Sequence, residues 1–219
     1  MKLEGLKANF LGDSITEGAS ASSRDKIYWN VLKSEYGLAE ARGYGIGGTR
    51  IAKQKNPSAV AVYDQNFCER FDKMDDDADL IVVFGGTNDY GHGDAPIGTM
   101  DDRTPDTFYG ALHYLYTGLI NKYPTATIVV MTPLHRFDEY NLRGEGNKPF
   151  DGEPLVTYVN IIKEVAAYYS LPLLDLWASS GMQPNIPALR AAFNPDGLHP
   201  NTAGHAKLAH RLAAFLQSL

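Results

Sequence analysis

Short apolar runs alternate with longer apolar stripes along this chain. The runs fall at residues 8–11, 80–84, 127–132 and 171–176, with a weaker one at 39–44. Each is too short for a helix, and turn-forming residues flank them, a pattern that predicts buried strands. Between the runs, apolar residues recur at intervals of three and four. Tyr28, Val31, Leu32 and Tyr36 form one stripe, with Ser22 and Asp25 ahead of it in the positions of a capping box. Phe108, Leu112, Leu115 and Leu119 form another, behind Thr104-Pro105 as cap and first-turn proline. Leu155, Val159, Ile162, Ala166 and Tyr169 make a third, and Leu208, Leu212 and Phe215 a fourth. Such stripes are the faces that helices turn towards a core. Strands alternating with helices predict βαβ units around a parallel sheet. No internal repeat divides the chain, so one domain is expected over residues 1–219.

Two stretches break the rhythm. Residues 89–103 and 135–154 are rich in Gly, Pro and charge. Each follows a predicted strand, so both are expected at the carboxyl edge of the sheet as a substrate-binding rim. They carry His92 and His135 as candidate substrate contacts.

At that same edge lies "FLGDSITEGA", residues 10–19. The apolar run stops at Gly12 and presents Asp13 and Ser14 where open α/β sheets place their chemistry. Ser14 there is either a nucleophile or a helix cap. In "NPDGLHP", Asp196 precedes His199 by three residues within a turn. One turn can bring a carboxylate to the Nδ1 side of an imidazole, the arrangement of a Ser-His-Asp triad, or it can simply cap the turn. In "FGGTNDYGHG", Asn88 follows a strand and two glycines, a place from which an amide can donate to an oxyanion. "GYGIGGTRI" spells G-x-G-x-x-G at Gly43, Gly45 and Gly48. A dinucleotide fingerprint needs a firm strand before it and an acid closing a second strand. Here Glu69 and Asp72 fall instead in a stretch with helical spacing of Phe67, Phe71 and Met74.

Composition narrows the choices. The 219 residues are 44% hydrophobic and 21% charged, which is ordinary for a soluble globule. A net charge of −6 with scattered Lys and Arg argues against a nucleic-acid partner. Cys68 is the single cysteine, so neither an intrachain disulfide nor a cysteine-based zinc site is expected. His113, His205 and His210 fall in predicted helices, and no histidine pair has metal-ligand spacing. The amino terminus lacks a signal-peptide core and no run approaches a membrane span, so the cytoplasm is the expected location.

In chain order, four blocks resemble those of the SGNH hydrolases, the GDSL-type esterases and lipases. They are Gly12-Asp13-Ser14-Ile15, "GIGGT" around Gly48, Gly86-Thr87-Asn88-Asp89, and Asp196 to Pro200. Ile15 stands where the family name has Leu, and Tyr44 where an asparagine is often found. The resemblance implies a flavodoxin-like α/β/α sandwich with a parallel five-stranded sheet. It implies Ser14 as nucleophile, His199 as general base and then acid, and Asp196 as its orienting partner. The N–H groups of Ser14 and Gly48, with the Asn88 amide, would form an oxyanion hole, while Asp13 braces the turn. No cofactor or metal is implied. The polar predicted rim favours short-chain esters, acetylated carbohydrate included. A lysophospholipase or acyl thioesterase of the same superfamily is the alternative, and a non-catalytic carbohydrate-binding protein a remote one.

Overall fold

The computed structural model describes every residue except 147, 149 and 150, three positions of the second expected rim loop. Five strands form one parallel sheet: β1 (Lys7–Gly12), β2 (Glu40–Gly45), β3 (Leu80–Phe84), β4 (Thr127–Met131) and β5 (Leu173–Leu174). Their order is β2-β1-β3-β4-β5, the flavodoxin-like winding. The helices are α1 (Ser14–Glu17), α2 (Tyr28–Tyr36), α3 (Phe67–Arg70), α4 (Thr87–His92), α5 (Phe108–Lys122), α6 (Leu155–Tyr168), α7 (Leu176–Ser179), α8 (Pro187–Phe193) and α9 (Thr202–Ser218).

The period of two along each strand divides the core. Leu11, Ile81, Val83, Ile128 and Val130 face α5 and α6, against Leu112, Leu115, Val159 and Ile162. Phe10, Leu80, Val82, Val129 and Met131 face the other way, onto Tyr28 and Leu32 of α2 and Leu208 and Leu212 of α9. Continuous apolar strands are what a sheet covered on both faces requires. The result is a three-layer α/β/α sandwich. β2 is the exception. As an edge strand it carries Arg42, which pairs with Asp75 and Asp77, and so its apolar signal is weak.

Element boundaries shift for local reasons. Ser22 and Asp25 do not cap α2. Ser22 bonds across to Thr202, Ser23 donates to Asp25 at 2.6 Å, and residues Arg24–Lys26 make a 3-10 turn before the helix opens at Tyr28. The cap of α5 is Thr107, whose hydroxyl accepts from the Gly110 N–H, not Thr104. β5 shrinks to two residues because Asp175 already caps α7, in which Leu176 is the first residue. Asp89, expected in a loop, lies inside α4.

Candidate active site

The strand order reverses at β1, with β2 on one side and β3 on the other. Chains leaving the carboxyl ends of β1 and β3 therefore diverge and leave a crevice. Ser14 opens α1 directly after β1. Asp13 is the N-cap, its Oδ1 accepting from the Ile15 N–H at 3.0 Å, so the serine hydroxyl is not used as a cap. On the other side, Gly85 and Gly86 turn the chain out of β3 into α4. Gly86 has φ of +105°, a conformation L side chains rarely adopt. Asn88 follows within the first turn of α4.

The third component arrives from the turn before α9. Asp196 Oδ1 accepts from the N–H groups of Leu198 at 2.8 Å and His199 at 2.7 Å. Its Oδ2 lies 2.7 Å from His199 Nδ1, and His199 Nε2 lies 3.0 Å from Ser14 Oγ. Burial alone would raise the Asp196 pKa, but these N–H groups and the imidazole hold it below the usual carboxylate value. The Phe137 N–H fastens the turn from outside by donating to the Gly197 carbonyl at 2.7 Å.

Residues 46–52 complete the crevice and are pinned by polar side chains, with Asn88, Asp89 and Arg70 buried and Glu17 exposed. Gly48 has φ of +71°, and a Cβ there would collide with the Tyr63 ring. Glu17 accepts from the Gly47 N–H at 3.0 Å. Asn88 Nδ2 donates to the Thr49 carbonyl at 3.0 Å, leaving its second amide hydrogen for another acceptor. Asp89 accepts from the Ile51 and Ala52 N–H groups, each at 2.9 Å. Beneath them Arg70 donates to the carbonyls of Gly12, Tyr44 and Gln65 and to the Thr49 hydroxyl. Burial lowers its pKa to about 10. Ser14, Gly48, Asn88 and His199 thus line one cleft of about 980 Å³. A groove of about 1180 Å³ between α2 and the start of α9 contains no histidine.

Asp13 is fully buried beside this machinery, and burial raises its pKa to about 6 against the help of the Ile15 N–H and the nearby His199. The folded chain then holds this proton more tightly than the unfolded chain. Stability from Asp13 is complete below about pH 4 and is lost as pH rises to about 6. Asp13→Asn keeps an oxygen for Ile15 and removes the penalty. Urea unfolding at pH 7.5 is expected to show a gain of roughly 3 kcal/mol, vanishing at pH 4. Equal effects at both values would mean the carboxyl does not titrate in this window.

The sequence pattern of the GDSL-like Lipase/Acylhydrolase family matches residues 10–207. The chain belongs to this family. A protein from Lactobacillus plantarum shares 33% identity with a TM-score of 0.84, covering 98% of each chain. A possible lipase from Chitinophaga pinensis shares 23% identity with a TM-score of 0.70, over 97% of this chain and 98% of that one. A two-domain esterase active on acetylated mannans shares 20% identity with a TM-score of 0.64, over 98% of this chain and 49% of that one. No functionally curated protein matches the chain.

This GDSL-like protein departs from the expected rim. Residues 93–103 do not line the cleft. The Pro96 and Ile97 carbonyls accept from Phe108 and Tyr109, which fastens this stretch to the start of α5. His135 is also turned away, bonded to Glu139 at 3.0 Å and packed 3.8 Å from the Trp177 ring. His92 does line the cleft, as do Glu145 and Lys148 of the second rim loop. Lys148 is buried, donates to the Asp89 carbonyl and the Tyr158 hydroxyl, and has its pKa pushed down to about 8 by burial. Most of the remaining wall comes from Arg50 and residues 58–63, which sequence reasoning missed. That stretch alternates no polar positions with its apolar ones; its only signal is the short apolar run from Ala59 to Tyr63.

The glycines at 43 and 45 serve packing. A side chain at Gly43 would strike Trp29, and one at Gly45 would strike the backbone of α1. No helix follows Gly48 directly, and Glu69 lies in α3, so the nucleotide context is missing. Among the described residues no group of His, Cys, Asp or Glu is placed to hold a metal ion, and no helix is long and apolar enough to cross a membrane.

Proposed function

We propose that this GDSL-like protein is a serine carboxylic ester hydrolase acting on short-chain acyl esters, acetylated carbohydrates among them. The observation that carries this reading is the unbroken line from Ser14 Oγ through the His199 ring to Asp196, with steps of 3.0 and 2.7 Å. Asp196 accepts the Nδ1–H of His199 and so leaves Nε2 free to take the serine proton. Ser14 Oγ attacks the ester carbonyl as His199 takes that proton. The N–H groups of Ser14 and Gly48 and the free Asn88 amide hydrogen receive the oxyanion. His199 returns the proton to the departing alcohol, and water repeats the cycle on the acyl-enzyme. Each step uses groups of the chain and water.

The polar lining by Arg50, Asn88, His92 and Glu145 supports a small acyl group on a hydroxylated alcohol. Val60 and Val62, 46% and 38% exposed at the lip, favour a second reading with longer acyl chains, as in a lysophospholipid or thioester. Turnover of p-nitrophenyl acetate, butyrate and octanoate and of an acetylated xylo-oligosaccharide separates the two. Preference for acetates supports the first reading, whereas preference for octanoate replaces it with the second.

Asn88→Ala tests the oxyanion assignment. The lost donor is expected to lower kcat by roughly 10²–10³, with a smaller change in KM. A change confined to KM would reassign Asn88 to substrate binding.

A further inference from the structure

His92, like His199, is a cleft histidine whose proton position can be deduced. Its Nδ1 lies 3.1 Å from Arg50 Nη1. A guanidinium has no acceptor, so Nδ1 must accept and the ring hydrogen of the neutral imidazole must sit on Nε2. Arg50 is itself fixed, with Nη2 donating to Ser58 Oγ at 2.6 Å and Asp64 Oδ1 at 2.7 Å. Burial keeps the His92 pKa below the usual histidine value. Arg50, Arg136 and Lys148 act in the same direction, and Glu145 opposes them. The neutral form follows from both the bond and the surroundings.

Two further features aim this donor. Asn88 and His92 are four residues apart in α4, so their side chains share one face of the helix, and both line the cleft. The Tyr63 ring stands between the two halves of the site. It lies over Gly48 on one side, and its centre is 5.3 Å from the His92 ring on the other. Among the described residues Nε2 has no protein partner.

We infer that His92, locked by Arg50 as an Nε2–H donor, is a specificity-determining residue that binds an oxygen acceptor on the alcohol portion of the substrate, a hydroxyl close to the scissile ester. This rests on the short-acyl esterase reading above, since an acetyl group has no acceptor beyond its reacting carbonyl. A hydroxylated alcohol is thereby selected over an alkyl one. Arg50 is a positioning residue that acts through the imidazole.

The test uses propyl acetate and 2,3-dihydroxypropyl acetate, which share a three-carbon alcohol and differ by two hydroxyls. ¹⁵N spectra of the imidazoles in the wild-type protein are expected to show His92 with a bare Nδ1 and a protonated Nε2. The Ser14→Ala protein, which binds without turnover, is then titrated with each ester while the Asn88 side-chain amide is followed. The dihydroxy ester is expected to bind about three- to tenfold more tightly, the effect of one neutral hydrogen bond. Adding His92→Phe should abolish that preference, while His92→Gln, whose amide reaches the place of Nε2, should retain most of it. A protonated Nδ1, equal affinities for the two esters, or a preference that survives in His92→Phe would each overturn the inference. Failure of the esterase reading is seen separately, as absence of Ser14-dependent turnover of either ester by the wild-type protein.

Discussion

Ser14→Ala is expected to lower ester turnover by a factor on the order of 10⁴–10⁶ while leaving the unfolding temperature nearly unchanged. The activity loss follows from the proposed mechanism, because no other oxygen nucleophile is bonded to His199 Nε2 among the described residues. The preserved stability follows from the local structure. Asp13, not Ser14, caps α1, so the serine hydroxyl satisfies no backbone donor and alanine suits the first helical position. A parallel incubation with a fluorophosphonate should label Ser14 in the wild type and nothing in the variant. Turnover that survives in Ser14→Ala would reduce the serine to a bystander.

Asp196→Asn is expected to cost about 10⁴ in kcat, again with the fold intact. The reason lies in the two faces of the carboxylate. Oδ1 holds the turn by accepting from Leu198 and His199, and an asparagine oxygen keeps those bonds. Oδ2 accepts from His199 Nδ1, and there an amide NH₂ can only donate. The imidazole must then accept at Nδ1 and carry its hydrogen on Nε2, pointing at Ser14 with no capacity to take the serine proton. Because Asp196 is held below the ordinary carboxylate range, it stays ionised throughout the range in which histidines titrate. Acid loss of wild-type activity therefore should not report on this residue. Near-native kcat in Asp196→Asn, measured with p-nitrophenyl acetate, would remove Asp196 from the mechanism.

The parts of the site that were legible in the sequence are those fixed by local grammar. Gly12-Asp13-Ser14 ends an apolar run, Gly86-Thr87-Asn88 ends another, and Asp196 to His199 lies within a single turn. Their mutual approach then follows from the winding of the sheet, since Ser14 and Asn88 leave neighbouring strands at the switch point. The wall at residues 58–63 obeys no such grammar. It is irregular chain up to Val60 and one 3-10 turn over Ala61–Asp64, fixed by Asp64 accepting from Ser58 and Arg50 and by Asp94 accepting from Lys55 and Asn56. Side-chain to backbone bonds of this kind leave no periodic trace. The same limit explains the rim. Residues 93–103 have the composition of a binding loop, but Pro96 and Ile97 spend their carbonyls on α5. β2 was faint for a different reason, as an edge strand that buries little and carries charge.

The two sides of the cleft are fastened differently. Gly48 sits in a segment held by Arg70 and Asp89, both buried, whereas the wall bearing Val60 and Val62 hangs between the more exposed carboxylates of Asp64 and Asp94. In the proposed reaction the oxyanion donor at Gly48 and the wall of Val60 and Val62 thus have separate fastenings, meeting where the Tyr63 ring lies over Gly48. Residues 55–64 form a cassette in which Ala59, Val60, Ala61 and Val62 can be rewritten while Ser58, Tyr63, both carboxylate anchors and the proposed acyl-transfer centre stay in place. Relatives with long-chain or bulky specificity should be reachable by exchanging this one stretch, without the compensating core mutations that reshaping the Gly48 side would demand.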